Sequence, residues 1–107
     1  MKIFYNNKQL NIIHCNTFIK RLKGLMFYKE KINFGLRFKC NGIHTFFMYQ
    51  NIDVVLCDKH NKILYYYPEV KKNKVILPKK NVYYTYELPP LYFDIKVGSY
   101  ITIKKAK

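Results

Sequence analysis

Apolar residues in this chain mostly recur at every second position, and only one stretch repeats them at helical spacing. Residues 2–5 and 9–14 read as short strands rich in Ile, Phe and Tyr. Asn6 and Asn7 between them tolerate positive φ, which predicts a tight hairpin. Thr17 can then cap a helix in which Phe18, Leu22, Leu25 and Met26 fall at i, i+4, i+7 and i+8, one apolar stripe. Gly24 in that pattern marks either close packing or the helix end. Downstream the chain reads as β. Residues 34–39 alternate around Gly35. Residues 52–57 form an apolar run broken only by Asp53, as a central strand buried on both faces would. A polar turn at 59–62 leads into 63–67, predicting a second hairpin, after which Pro68 and several lysines read as a loop. Residues 75–77, 82–88 and 100–103 are further predicted strands. The pattern predicts a mainly β (α+β) fold: a compact, antiparallel, barrel-like sheet with one short helix near residues 17–26, in a single domain over residues 1–107.

Composition changes this picture little. Half of the residues are hydrophobic, which supports one packed core in a chain of 107 residues. No run approaches the roughly 20 apolar residues of a membrane helix, so no membrane insertion is expected. The first residues lack an apolar signal segment, and three cysteines make an odd number that suits reduced thiols. Both point to a cytoplasmic protein. The formal net charge of +14 raises the question of nucleic acid. Of the basic residues, however, only Arg21 and Arg37 are arginine, and Lys, Asn, Ile, Tyr and Phe are abundant together. A low-GC genome produces that combination without a ligand, and bidentate phosphate or base contacts favour arginine. Weak, non-specific attraction to nucleic acid is what the charge predicts.

Candidate chemistry concentrates between Cys40 and Asp58. Asp53 is costly on a buried strand unless it is hydrogen-bonded. It reads either as a ligand anchor or, more simply, as an acceptor for the backbone of the preceding loop at 49–51. Arg21 is a candidate charge partner. Cys40 and His44, with Gly42 between them, could pair as nucleophile and base, or be a packed thiol and a loop-bonded imidazole with Thr45. Phe46, Phe47 and Met48 cannot all face one side of a strand, so at least one points outward, where it could meet a partner or fold back as a plug over the core. Tyr65, Tyr66, Tyr67, Tyr83, Tyr84 and Tyr86 with neighbouring lysines could form a stacking platform for single-stranded nucleic acid, or be ordinary strand formers. No Cys-x-x-Cys, His-x-x-x-His, phosphate loop or paired catalytic carboxylates occur, so no metal or cofactor is expected.

Four segments occur in order: Gly24-Leu25-Met26-Phe27 preceded by Arg21, Ile43-His44-Thr45-Phe46-Phe47-Met48, Ile52-Asp53-Val54-Val55-Leu56-Cys57-Asp58, and Glu87-Leu88-Pro89. In these the chain resembles the bacterial and archaeal family known as domain of unknown function 192, in the branch with an Ile-His-Thr-Phe-Phe-Met motif. It departs from that branch at Asn51, where Pro is usual, at Pro90 and at Ser99. The resemblance implies the same barrel-like fold. It implies no reaction, because the family has no established activity. By analogy, members often lie beside pilus or secretion genes as accessory proteins.

Together these observations predict a small, non-enzymatic accessory module that binds a protein partner or small ligand near residues 44–53. Arg21, Cys40, His44, Thr45, Phe47, Met48 and Asp53 are the candidate binding residues. The alternatives are a single-stranded nucleic-acid binder through the Tyr/Lys surface, and a small enzyme dependent on Cys40 and His44 with Asp53.

Overall fold

A computed structural model describes residues 1–15, 25 and 28–105. The predicted helix at 17–26 and the candidate Arg21 fall outside these, apart from Leu25. Among the described residues the chain forms strands only: β1 (Lys2–Tyr5), β2 (Lys8–Cys15), β3 (Gly35–Phe38), β4 (Ile43–His44), β5 (Ile52–Cys57), β6 (Ile63–Val70), β7 (Val75–Ile76), β8 (Tyr84–Leu88) and β9 (Thr102–Lys104). Seven of them make one curled sheet in the order β6-β5-β8-β3-β2-β1-β9, and β4 and β7 pair separately.

The two predicted hairpins are present. Asn6 and Asn7 take φ of 48° and 64°, and Tyr5 pairs with Lys8 across them. That double left-handed turn matches the twist of the strands it joins. At the second hairpin, Asp58 Oδ1 accepts the amides of His60 (2.8 Å) and Lys62 (3.0 Å), which frees Asn61 to turn at φ 63°. Strand β6 runs further than its proline suggests. It continues through Pro68 to Val70, which pairs with Ile52. Pro68 is tolerated because β6 is an edge strand, and a break in register with Glu69 at φ 49° bends it.

One pairing is parallel, between β2 and β3, starting at Ile12↔Gly35. A side chain at Gly35 would displace the side-chain ends of Ile12 and Leu88 and press on Glu87 O, so glycine suits the close approach of β2, β3 and β8. The sheet curls until the segment before β9 reaches β6. Ile63 donates to Ser99 O at 2.8 Å, Gly98 to Ile63 O at 2.8 Å and Ile101 to Asn61 O at 3.0 Å. The result is a half-barrel with two cores. Ile3, Leu10, Ile12, Val55, Tyr86 and Leu88 are among those filling its concave face. Leu36, Phe38, Ile52, Val54 and Leu56 face outward under a cover that includes Leu25, Ile32, Met48 and Ile76. Strand β5 lies between β6 and β8 and is buried at all six positions, so its alternate residues feed both cores.

Candidate functional site

The β4–β7 ribbon packs on the convex face. Its register sets Ile43 against Ile76 and His44 against Val75. Ile43 and Ile76 turn inward to the cover core. By alternation His44, Val75 and Leu77 turn outward, and Val75 and Leu77 are 55% and 65% exposed. Gly42 enters the ribbon at φ 94°, where a Cβ would press on Ile76 O and Pro78.

Beyond His44 the chain makes a tight turn closed by Met48 N to Thr45 O at 3.3 Å. Phe46 and Phe47 are its central residues, and Phe47 sits at φ 63°, where turns of this kind usually carry glycine. Thr45 holds the turn in place and is itself buried. Its Oγ1 donates to Lys71 O (2.7 Å) and accepts from Lys74 N (2.8 Å). Its backbone exchanges bonds with Lys74 O (2.8 Å) and Asn73 N (3.0 Å). Met48 is buried beneath, while Phe46 and Phe47 are exposed at 40% and 60%. The imidazole of His44 stacks on Phe46, centroids 4.9 Å apart, and its Nδ1 accepts the Phe46 amide at 3.2 Å. His44, Phe46, Phe47, Val75 and Leu77 thus share one outward surface. Lys71, Lys72 and Lys74 flank it, and Lys71 and Lys72 also line a small groove with Met48, Tyr49, Gln50 and Asn51.

The remaining predicted residues do not join this surface. Asp53 follows Ile52 onto the opposite face of β5, the side of Val55 and Cys57. It is buried, and its donors come from far along the chain rather than from the loop at 49–51. Oδ1 accepts Glu69 N at 2.8 Å, and Oδ2 accepts Tyr66 Oη and Leu91 N, both at 2.9 Å. Both carboxylate oxygens therefore accept hydrogen bonds inside the fold. Cys40 packs with the cover core, and its thiol donates to Gly42 O at 3.7 Å. Cys40 and His44 bond to different backbone groups, and the sheet separates both from Asp53. The three do not converge on one cleft.

Glu87 escaped sequence reasoning. In Tyr-Tyr-Thr-Tyr-Glu-Leu an acid reads as the solvated face of an amphipathic strand. In the fold it pairs with Leu36 on one side and Val54 on the other, within the covered core. Its Oε1 is buried with no hydrogen-bond partner among the described residues. Burial pushes its carboxyl up to about 8, offset only in part by a hydrogen bond from the Leu25 backbone. The logic that singled out Asp53, an acid in a strand buried on both faces, applies to Glu87 once β8 is known to be central.

The tyrosines are dispersed. Tyr66, Tyr84 and Tyr86 pack against the concave core and Tyr67 against the covered one, leaving Tyr65 and Tyr83 exposed. Arg37 lies 4.8 Å from the Tyr84 ring and donates from Nε to His14 Nδ1 at 3.0 Å. Burial, then Arg37 and Lys39, holds His14 below its usual range.

Fold and surface together define a small β half-barrel presenting an aromatic turn on a clamped ribbon. The sequence is 36% identical over 82 residues to UPF0127 protein TK1120 of Thermococcus kodakarensis, a member of an uncharacterised family, covering 70% of this chain and 51% of the relative. The chain thus spans about half the length of that relative. No protein-family model matches the chain. Two crystal structures share the fold. A protein of unknown function from Novosphingobium aromaticivorans superposes with a TM-score of 0.80 at 12% identity, over 95% of this chain and 82% of that one. A protein described as a putative transcription regulator from Sinorhizobium meliloti superposes with a TM-score of 0.82 at 14% identity, over 94% and 89%.

Proposed function

We propose that the chain belongs to the family known as domain of unknown function 192 and acts as a non-catalytic docking module, binding a protein partner through the outward surface of the β4–β7 ribbon. The partner surface carries an apolar depression for Phe46 and Phe47 within an acidic rim that meets Lys71, Lys72 and Lys74. The observation that carries this reading is the Thr45-to-Met48 turn. Four hydrogen bonds at Thr45 hold it to the 71–74 segment, and it carries an exposed phenylalanine at φ 63°. A bulky residue in the left-handed region costs on the order of 1–2 kcal/mol, which stability alone gives no reason to keep. Large aromatics at the centre of a contact are the residues that most often dominate binding. The lysine flank supplies attraction and orientation more than affinity.

The nucleic-acid alternative has less support, because the tyrosines that would stack bases divide between two cores. The enzyme alternative has less again, because Cys40, His44 and Asp53 lie apart.

The test is site-specific photo-crosslinking in cells, with a benzophenone amino acid at Phe46, at Phe47 and at Ile13, which is also exposed but lies on β2. Discrete adducts from positions 46 and 47 and not from 13 are expected. Equal labelling from all three positions, or no adduct from the turn, would overturn the reading.

A further inference from the structure

We infer that a second site lies beside the first half of β2 and takes an extended acidic peptide by strand addition. Strand β2 pairs with β1 over Lys8–Asn11, but its other edge pairs with β3 only from Ile12 onward. Before that point the residues leading to β3 diverge, leaving a groove of about 790 Å³. Lys8, Gln9, Leu10 and Asn11 line it consecutively, facing Ile32 and the Pro89-Pro90-Leu91 turn.

The phase of the β1–β2 ladder decides which backbone groups the groove receives. Ile12 N donates to Met1 O at 2.9 Å, so Lys8, Leu10 and Ile12 direct their N–H and C=O groups toward β1. Gln9 and Asn11 direct theirs the other way. The Gln9 carbonyl is satisfied by Tyr92 Oη at 2.8 Å. The parallel register Ile12↔Gly35 assigns the Asn11 carbonyl to the Gly35 amide. The N–H groups of Gln9 and Asn11 remain, pointing away from β1 ahead of the β3 pairing, and neither donates to a turn or loop carbonyl among the described residues.

Two backbone donors two residues apart on one strand edge are separated by about 7 Å, the spacing of alternate carbonyls in an extended chain. That repeat selects a peptide in β conformation. Lys8 and Lys31 on the groove walls favour acidic side chains, and Leu10, Ile32 and Leu91 accept apolar ones between them. Gln50 braces the opposite wall, its amide donating to Tyr28 O and Glu30 O.

The probe is a fluorescein-labelled hexapeptide of alternating glutamate and valine, titrated against the whole chain by anisotropy and by amide NMR. Saturable binding is expected, with the Gln9 and Asn11 amide resonances shifting and exchanging more slowly. Lys31→Glu should weaken binding about tenfold. Asn11→Pro, which removes one donor and keeps the carbonyl, should weaken it as well, and the wild-type amide shifts stand even if that variant folds poorly. Phe47→Ser should leave binding unchanged, which separates this site from the ribbon surface. Lack of saturation at millimolar peptide, binding that leaves the Gln9 and Asn11 amides unmoved, or loss in Phe47→Ser would each overturn the inference.

Discussion

Asp53 accepts the backbone amide of Leu91 at 2.9 Å, and Leu91 is held at φ 56°. The other amide bound by the same carboxylate, Glu69 N, belongs to a residue at φ 49°. One buried acid therefore stabilises two left-handed bends, one in the edge strand β6 and one after the diproline. Neither bend carries the glycine that would otherwise make it easy. Replacing Asp53 by Ala leaves two amides and the Tyr66 hydroxyl without their acceptor. An expected loss of about 3 kcal/mol follows, since each unsatisfied buried group costs roughly 1–3 kcal/mol and the costs are not additive. Asp53→Asn keeps one acceptor oxygen and should lose less. Urea melts of the three proteins check the order, and equal midpoints for wild type and Ala would show that water replaces the carboxylate.

Phe47 permits a sharper comparison than simple truncation. Phe47→Ala removes the ring and keeps the left-handed strain of a Cβ-bearing residue. Phe47→Gly removes both. Against a gain of roughly 1–2 kcal/mol for relieving the strain stands a cost of roughly 0.5–1 kcal/mol for the freer glycine backbone in the unfolded chain. The Gly variant should therefore be the more stable of the two by up to about 1.5 kcal/mol, while under the proposed docking role both should lose crosslinking. Thermal melts together with crosslinking from position 46 separate the effects. An Ala variant as stable as the Gly variant would mean that the turn relaxes and stores no strain.

Much of the fold is legible in residue pattern because local chemistry dictates it. Asn6-Asn7 can turn a hairpin, the apolar run from Ile52 to Cys57 reads as a buried strand, and the polar stretch at 59–62 reads as the turn after it. What pattern could not reveal is long-range. The donors to Asp53 lie 13, 16 and 38 residues away, and no local motif announces them. The parallel β2–β3 pairing depends on the path between those strands. Glu87 was hidden because alternation in β8 mimics a half-solvated strand, whereas β8 is enclosed between β3 and β5. At the candidate site packing logic required at least one of Phe46, Phe47 and Met48 to point outward, and it is Phe46 and Phe47 that do. The clamp of Thr45 on the 71–74 segment did not, since nothing in the two stretches marks them as partners.

The three thiols differ in accessibility, and their reactivity should follow. Cys57 is fully buried in the concave core, and burial, reinforced by Asp58, raises its pKa, so its thiolate is scarcely populated. Cys15 is buried as well, while Cys40 is half-buried at the rim of the cover. Alkylation of the native protein at neutral pH should reach Cys40 first, slowly, and at a rate unchanged by His44→Ala. Cys57 should react only on unfolding. Rapid labelling of Cys40 that depends on His44 would restore a thiol–imidazole pair and with it the enzymatic reading.

Glu87 should give the protein an unusual pH profile. In the unfolded chain its carboxyl ionises near the ordinary 4.5, whereas in the fold it keeps its proton up to about 8. Between those values the native state binds more protons than the unfolded chain, so stability falls as pH rises through the window. Below pH 4.5 the group contributes no slope, and above pH 8 the loss is complete, on the order of 5 kcal/mol if the whole shift is expressed. Surface carboxylates give the opposite trend, stability lost toward acid, which makes the direction diagnostic. Glu87→Gln removes the titration and keeps the shape. The variant should match or fall slightly below wild type at pH 5, where both side chains are neutral, and exceed it at pH 8.5, where the wild type must bury a charge between Leu36 and Val54. Paired denaturant melts at the two pH values check this. A stability difference that does not change with pH would mean that Glu87 ionises normally and that solvent or a cation reaches it beneath the cover.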